Sequence, residues 1–209
     1  MYLNMLIIVE HLEEFMGPWI LIEYRSAYEH AKKTNIPILF TGIKTKDLPS
    51  TNKRFYEIIN PRNVVILDPQ AEITLTPEEA KSYRYFVIGG ILGDHPPRGR
   101  TKKLLSDKFP EATKRNIGKK QFSIDGAVYI LTQILRGRRL EEIPIAYGVR
   151  IFFRGSVEYE IYLPYAYPLD KETNRIIIPK ELIDYLTSSA REVIITFDQY
   201  LRNEYIENR

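Results

Sequence analysis

The stretch from Tyr85 to Thr101, YFVIGGILGDHPPRGRT, constrains this chain more than any other. Tyr85, Phe86, Val87 and Ile88 form a short apolar run without alternation, as expected of a parallel-sheet strand covered on both faces. At Gly89 and Gly90 the run stops. Adjacent glycines followed by Gly93 let a ligand approach bare backbone, which is what a binding loop at the carboxyl end of a strand needs. Asp94 and His95 add ionisable groups, and Pro96 and Pro97 stiffen the exit. The same residues would equally serve a tight strand-to-helix turn with no ligand.

The flanking sequence repeats the strand–helix alternation. Leu3 to His11 reads as a buried strand. Gly17 and Pro18 then open a helix whose Ile20, Tyr24, Ala27, Tyr28 and Ala31 share one face. Ile36 to Thr41 and Asn63 to Leu67 are further strands, with a short helix from Arg54 to Ile59 between them. Thr76 and Glu79 have the spacing of a capping box. After the glycine loop come a helix from Thr101 to Lys108, a strand within Ala112 to Ile117, and a helix from Ile124 to Arg136 capped by Ser123 and stopped by Gly137.

This order predicts an α/β fold, a mostly parallel sheet flanked by helices, over residues 1–137. Ligands bind beyond the carboxyl ends of such strands, which places Asp68, Gly89 to His95 and Ile117 to Gln121 together. Residues 138–209 read as a β-rich extension packed on that core. Val149, Ile151 and Phe153 alternate, as do Val157, Tyr159 and Ile161 after Gly155 and Ser156, which predicts a hairpin. Leu163 to Asn174, rich in Pro and Tyr, reads as an ordered loop. A strand from Arg175 to Ile178, a helix from Pro179 to Leu186 and a strand from Val193 to Thr196 follow.

Several chemistries are excluded or disfavoured. The 209 residues include no cysteine, which removes disulfides, zinc–thiolate sites and cysteine nucleophiles. The phosphate-binding, zinc-protease and nucleophile-elbow motifs are absent, and the dinucleotide fingerprint fails because Ile88 stands where a glycine is required. His11 and His95 alone do not specify a metal site, and none is expected. The apolar run Leu6 to Val9 is too short to span a bilayer, so no membrane segment is expected, and the protein reads as cytoplasmic. A net charge of +3 is mild, but basic residues cluster at Arg98, Arg100, Lys102 and Lys103, at Lys114, Arg115, Lys119 and Lys120, and at Arg136, Arg138 and Arg139. Such clusters suit a nucleic-acid surface or solvated helix ends.

Four segments carry a family resemblance: IVEHLEE with PWILIEY, ILDP, FVIGGILGDHPPRGRTK, and RNIGKKQFSIDGA. Together they resemble the SPOUT superfamily of S-adenosylmethionine-dependent methyltransferases. Within it they resemble the branch that holds the eukaryotic arginine methyltransferase of a small-subunit ribosomal protein and its archaeal relatives. The resemblance implies a deep trefoil knot made by the segment after Gly118, a step that general topology rules would not propose. It also implies an adenine slot read mainly by backbone. The cofactor-binding residues are then Leu67, Asp68 and Pro69; Ile88, Gly89, Gly90, Ile91, Leu92, Gly93 and His95; and Ile117, Gly118, Gln121 and Phe122.

The acceptor decides the chemistry. A guanidinium is cationic at any workable pH, so a site that methylates it must hold it with carboxylates and assist proton loss. Asp94 and Glu10 are the expected catalytic residues, with Glu13 and Glu14 either part of the same acidic floor or simply solvated. The leading expectation is protein arginine N-methylation of a ribosomal or other translation protein. The alternatives are methylation of tRNA or rRNA, favoured by the basic clusters, and a non-catalytic RNA-binding module. Either a monomer or a homodimer suits the sequence.

Overall fold

The computed structural model describes residues 5–154, 158–187 and 192–200. In chain order these form β1 (Leu6–His11), α1 (Pro18–Lys33), β2 (Ile38–Thr41), β3 (Ser50–Thr51), β4 (Val64–Leu67), α2 (Pro77–Ala80), β5 (Tyr85–Gly90), β6 (Thr113–Arg115), α3 (Ile124–Leu135), β7 (Ile145–Arg154), β8 (Glu158–Pro168), α4 (Lys180–Leu186) and β9 (Glu192–Tyr200). Six strands make one sheet in the order β3-β2-β1-β5-β4-β6, and every pairing within it is parallel.

The continuous apolar runs of β1, β4 and β5 follow from this placement at the centre of the sheet. Successive side chains point to opposite faces, and both faces are covered. Ile7, Val9, Val65, Leu67, Phe86 and Ile88 meet α1 and α3 in one core; Ile8, Val64, Ile66 and Val87 meet Phe55, Leu105 and Ala112 in another. Each such side chain contributes about 1.5–3 kcal/mol by leaving water.

The helices end as their sequences dictate. Pro18 occupies the first turn of α1, and Lys32 and Lys33 lie in its last, where the helix dipole favours cations. Ser123 Oγ accepts from the Gly126 amide to cap α3, and Gly137 adopts φ +98° beyond its end. The capping box at α2 is only half formed. Thr76 Oγ1 accepts from the Glu79 amide at 3.2 Å, while the Glu79 carboxylate turns to Arg115 on β6, a charge-assisted pairing that outweighs a cap.

A second sheet, antiparallel and ordered β8-β7-β9, packs against α1 and α4. It contains the predicted hairpin, although the turn, with Gly155, Ser156 and Val157, lies outside the described residues. The expected loop from Leu163 is in fact strand as far as Pro168. Its prolines are tolerated because β8 is an edge strand, where a missing amide hydrogen need not break a ladder. The expected strand Arg175 to Ile178 reduces to one bridge, Leu169 to Ile176. The expected helix at Arg54 to Ile59 is a single turn, Phe55–Glu57, whereas that at Thr101 to Lys108 forms over residues 100–106, with Lys102–Ser106 wound as a π-helix. Leu140, Ile143, Ile145 and Ala166 belong to the same buried core as β1 and α3, so the two sheets share packing.

Candidate functional site

Beyond the carboxyl ends of β4 and β5 lies a cleft of about 410 Å³, within the size range of small-ligand sites. Three loops wall it. Leu67, Asp68 and Pro69 come from the end of β4; Ile88, Gly89, Ile91, Leu92 and Gly93 from β5 and its exit; Ile117, Gly118, Gln121 and Phe122 from the approach to α3. The expected residues thus converge, with three exceptions.

Gly90 faces away from the cleft. A Cβ placed there would lie 2.1 Å from Tyr24 Oη and 2.9 Å from the Glu10 carbonyl, so this glycine exists for packing between β5 and α1. His95 is exposed and does not line the cleft. Glu10 is 1% exposed, and its carboxylate is already occupied: it accepts from Phe55 N at 3.0 Å, from Arg54 Nη1 at 3.3 Å and from Thr41 Oγ1. These bonds tie β1 to β2 and to the turn at Phe55, and Glu10 does not line the cleft. The neighbouring His11 is bonded to Tyr24 Oη at 2.8 Å, and burial, with Arg54 nearby, holds its pKa below the ordinary value.

Asp94 lines the cleft, and Glu13, which does not, is joined to it. Arg100 bridges them: its Nε donates to Asp94 Oδ2 at 2.7 Å and its Nη1 to the two Glu13 oxygens at 3.0 and 3.2 Å, while Nη2 donates to the Leu92 carbonyl. Glu13 Oε1 also accepts from the Leu92 amide at 2.9 Å, so one side chain fixes the glycine loop against the end of β1. Glu14 is exposed.

Other contacts brace the loop from the far side. Tyr165 Oη donates to the Gly93 carbonyl at 2.9 Å, and Gln121 Nε2 donates to the Asp94 carbonyl at 3.0 Å. Asp68 stiffens its own turn, accepting from Gln70 N at 2.9 Å and from Ser106 Oγ at 2.6 Å. Fully buried Asn116 joins two of the walls: its Nδ2 donates to the Ala71 carbonyl, and its Oδ1 accepts from Thr74 Oγ1 and Gly118 N.

Sequence reasoning did not find Asn116, Tyr147, Pro164 or Tyr165. Asn116 had a weak signal, a polar residue between a strand and a glycine. The other three lie in the second sheet, far away in sequence, and only the tertiary packing brings them to the cleft.

Behind the cleft is a buried acidic pair. Glu23 accepts from Ile124 N at 2.8 Å and Trp19 Nε1 at 2.7 Å, and Asp125 accepts from Ser26 Oγ at 2.8 Å. Burial, then the nearby Asp125, push Glu23 up to about 8, and burial raises Asp125 as well. Among the described residues, Asp125 Oδ1 and Tyr167 Oη are buried without a hydrogen-bond partner.

The basic clusters largely serve the fold. Arg100 is in the acidic bridge, Arg115 pairs with Glu79, Lys114 donates to the carbonyls of Phe109 and Pro110, and Lys120 lies 4.9 Å over the Tyr147 ring. Arg98, Lys102, Lys103, Arg136 and Arg139 remain exposed.

Comparison with known proteins places these features in one family. The family described as "Protein arginine N-methyltransferase SFM1-like" matches residues 6–193. Protein arginine N-methyltransferase SFM1 of Saccharomyces cerevisiae is 34% identical over 205 residues, covering 88% of this chain and 95% of that protein. The crystal structure of the yeast enzyme complexed with SAM superposes with a TM-score of 0.74 at 30% identity, covering 88% of this chain and 91% of that one. Trm10 of Thermococcus kodakaraensis, at 15% identity and a TM-score of 0.50 over 65% of this chain and 95% of its own, shares the fold alone. The chain belongs to the SFM1-like protein arginine N-methyltransferases, the family that its glycine loop resembles.

Proposed function

We propose that the protein is an S-adenosylmethionine-dependent methyltransferase that modifies arginine in a protein substrate, with a ribosomal protein as the expected class. The observation that carries this is the pair of carboxylates, Glu13 and Asp94, holding a guanidinium at the mouth of an apolar cleft. An acceptor arginine needs the same grip, whereas an RNA acceptor would call for positive charge there.

The cleft fits the cofactor. Leu67, Ile88, Ile91, Ile117, Phe122 and Ala127 supply apolar walls for an adenine ring, and Gly89 and Gly118 present backbone at its edge. When bound, S-adenosylmethionine supplies an electrophilic methyl group. The chain's part is to orient one guanidinium nitrogen with Asp94 and Glu13, and to receive at a carboxylate the proton that this nitrogen sheds.

The same reading treats residues 1–137 as the catalytic core of a cytoplasmic enzyme, monomeric or homodimeric, and residues 138–209 as an extension whose Tyr165 braces the glycine loop. It includes the trefoil knot. Asn116 and Lys119 are hydrogen-bonded to the segment 71–75, and on this reading the segment after Gly118 is the one that threads.

Incubation with methyl-labelled S-adenosylmethionine and a cell extract, with and without ribonuclease, tests the proposal. Label should enter protein, survive ribonuclease and appear as methylarginine after hydrolysis. Label confined to RNA would overturn it.

A further inference from the structure

Arg100 is held in the way that a substrate arginine would have to be. Asp94 takes its Nε edge, Glu13 takes Nη1 with both oxygens, and the Leu92 carbonyl takes Nη2. Carboxylates on two edges of one planar cation select a guanidinium over an ammonium, which has no second edge to offer. Two separate loops supply this grip, Glu13 from beyond β1 and Asp94 with Leu92 from beyond β5. Arg100 lines the same cleft as the cofactor loops.

The occupant is held by its head group while the chain leading to it is exposed. Its side chain is 29% exposed. The residues before it, His95, Pro96, Pro97 and Arg98, are exposed and lack regular structure, and Gly99 adopts φ +64° at the joint. Segments with so few buried contacts open at low cost in free energy.

We propose that Glu13, Asp94 and the Leu92 carbonyl form the acceptor subsite for an arginine guanidinium, and that Arg100 is its internal occupant, displaced when the acceptor arrives. This rests on the methyltransferase reading above. Exchanging one guanidinium for another replaces bonds of the same kind, so the site keeps its pairing throughout. Without an occupant, the two carboxylates would lose their shared cation, leaving Glu13 only the Leu92 amide. Self-occupation lowers the apparent affinity for the acceptor by the fraction of molecules in which the subsite is open.

Arg100→Met, which keeps an apolar stem and removes the guanidinium, tests this. Methylguanidinium, with methylammonium as control, is titrated by NMR into the wild type, Arg100→Met, and Arg100→Met combined with Glu13→Gln and Asp94→Asn. Arg100→Met should bind methylguanidinium about tenfold more tightly than wild type, methylammonium should bind poorly, and the combined variant should lose the effect. Equal binding by wild type and Arg100→Met, or capture that survives in the combined variant, would overturn the subsite.

Turnover separates displacement from a fixed strut. With labelled S-adenosylmethionine and the ribonuclease-treated protein fraction as acceptor, the half-saturating acceptor concentration should fall in Arg100→Met. A rise that added methylguanidinium reverses would make Arg100 a permanent brace and overturn displacement. Methylguanidinium capture without arginine label from either protein would instead sink the methyltransferase reading, and the acceptor role with it.

Discussion

At Gly90, Gly89 and Gly93 the chain uses one residue type for different ends. Gly90 is closed in by Tyr24 and the Glu10 carbonyl, so Gly90→Ala should overpack the β5–α1 contact and cost about 2–3 kcal/mol, read as a lowered midpoint in urea. Gly89→Ala, whose Cβ would meet Ile91 at 3.2 Å and Leu105 at 3.5 Å, should leave that midpoint nearly unchanged. The buried acids give a second expectation. Glu23 titrates at about 8 in the fold against an ordinary 4.5, so between those pH values the folded chain keeps a proton that the unfolded chain has released. Stability therefore falls as pH rises through that window. Asp125→Asn removes the neighbouring charge, so thermal unfolding measured at pH 5 and pH 8 should show a shallower fall. A fall as steep as in wild type would mean that burial alone shifts Glu23. Residue identities announced the glycine loop but not what each glycine faces, because a sequence does not say which side of a strand a neighbouring helix covers.

The loops that wall the cleft behave as one unit because side chains join them. Asn116 makes two of those joints and also holds the Gly118 amide, and Asn116→Ala would strand Thr74 Oγ1 and the Gly118 amide and leave the Ala71 carbonyl to Lys119 alone. A loss of roughly 3 kcal/mol is expected. The same variant should also weaken binding of S-adenosylhomocysteine in calorimetry, since Gly118 lines the cleft; unchanged affinity would detach Asn116 from the site. Strands buried on both faces were legible from Val64 to Leu67 and from Tyr85 to Ile88, where apolar runs have few alternatives. The strand from Glu158 to Pro168 was only partly legible, because Pro164 and Pro168 look like loop residues unless an edge position is already known.

The molecule depends on its second sheet. Leu140, Ile143, Ile145 and Ala166 fill the first core, and Tyr165 holds the Gly93 carbonyl. Residues 1–137 expressed alone should thus unfold without a cooperative transition and fail to bind S-adenosylhomocysteine; a sharp melt would show that the parallel sheet is self-sufficient. Sequence periodicity located the second sheet but not its service to the site, since the pairing of Tyr165 with Gly93 spans residues far apart in the chain. Glu13 adds a consequence for the working cycle. Its Oε1 serves the Leu92 amide, which shapes the cofactor loop, and the guanidinium beside it as well. On the proposed reading, two ligands then lean on one oxygen, and their affinities are thermodynamically linked. That linkage is reciprocal: whatever factor a bound acceptor imposes on cofactor affinity, the cofactor imposes on the acceptor, so spent cofactor and modified arginine influence each other's departure.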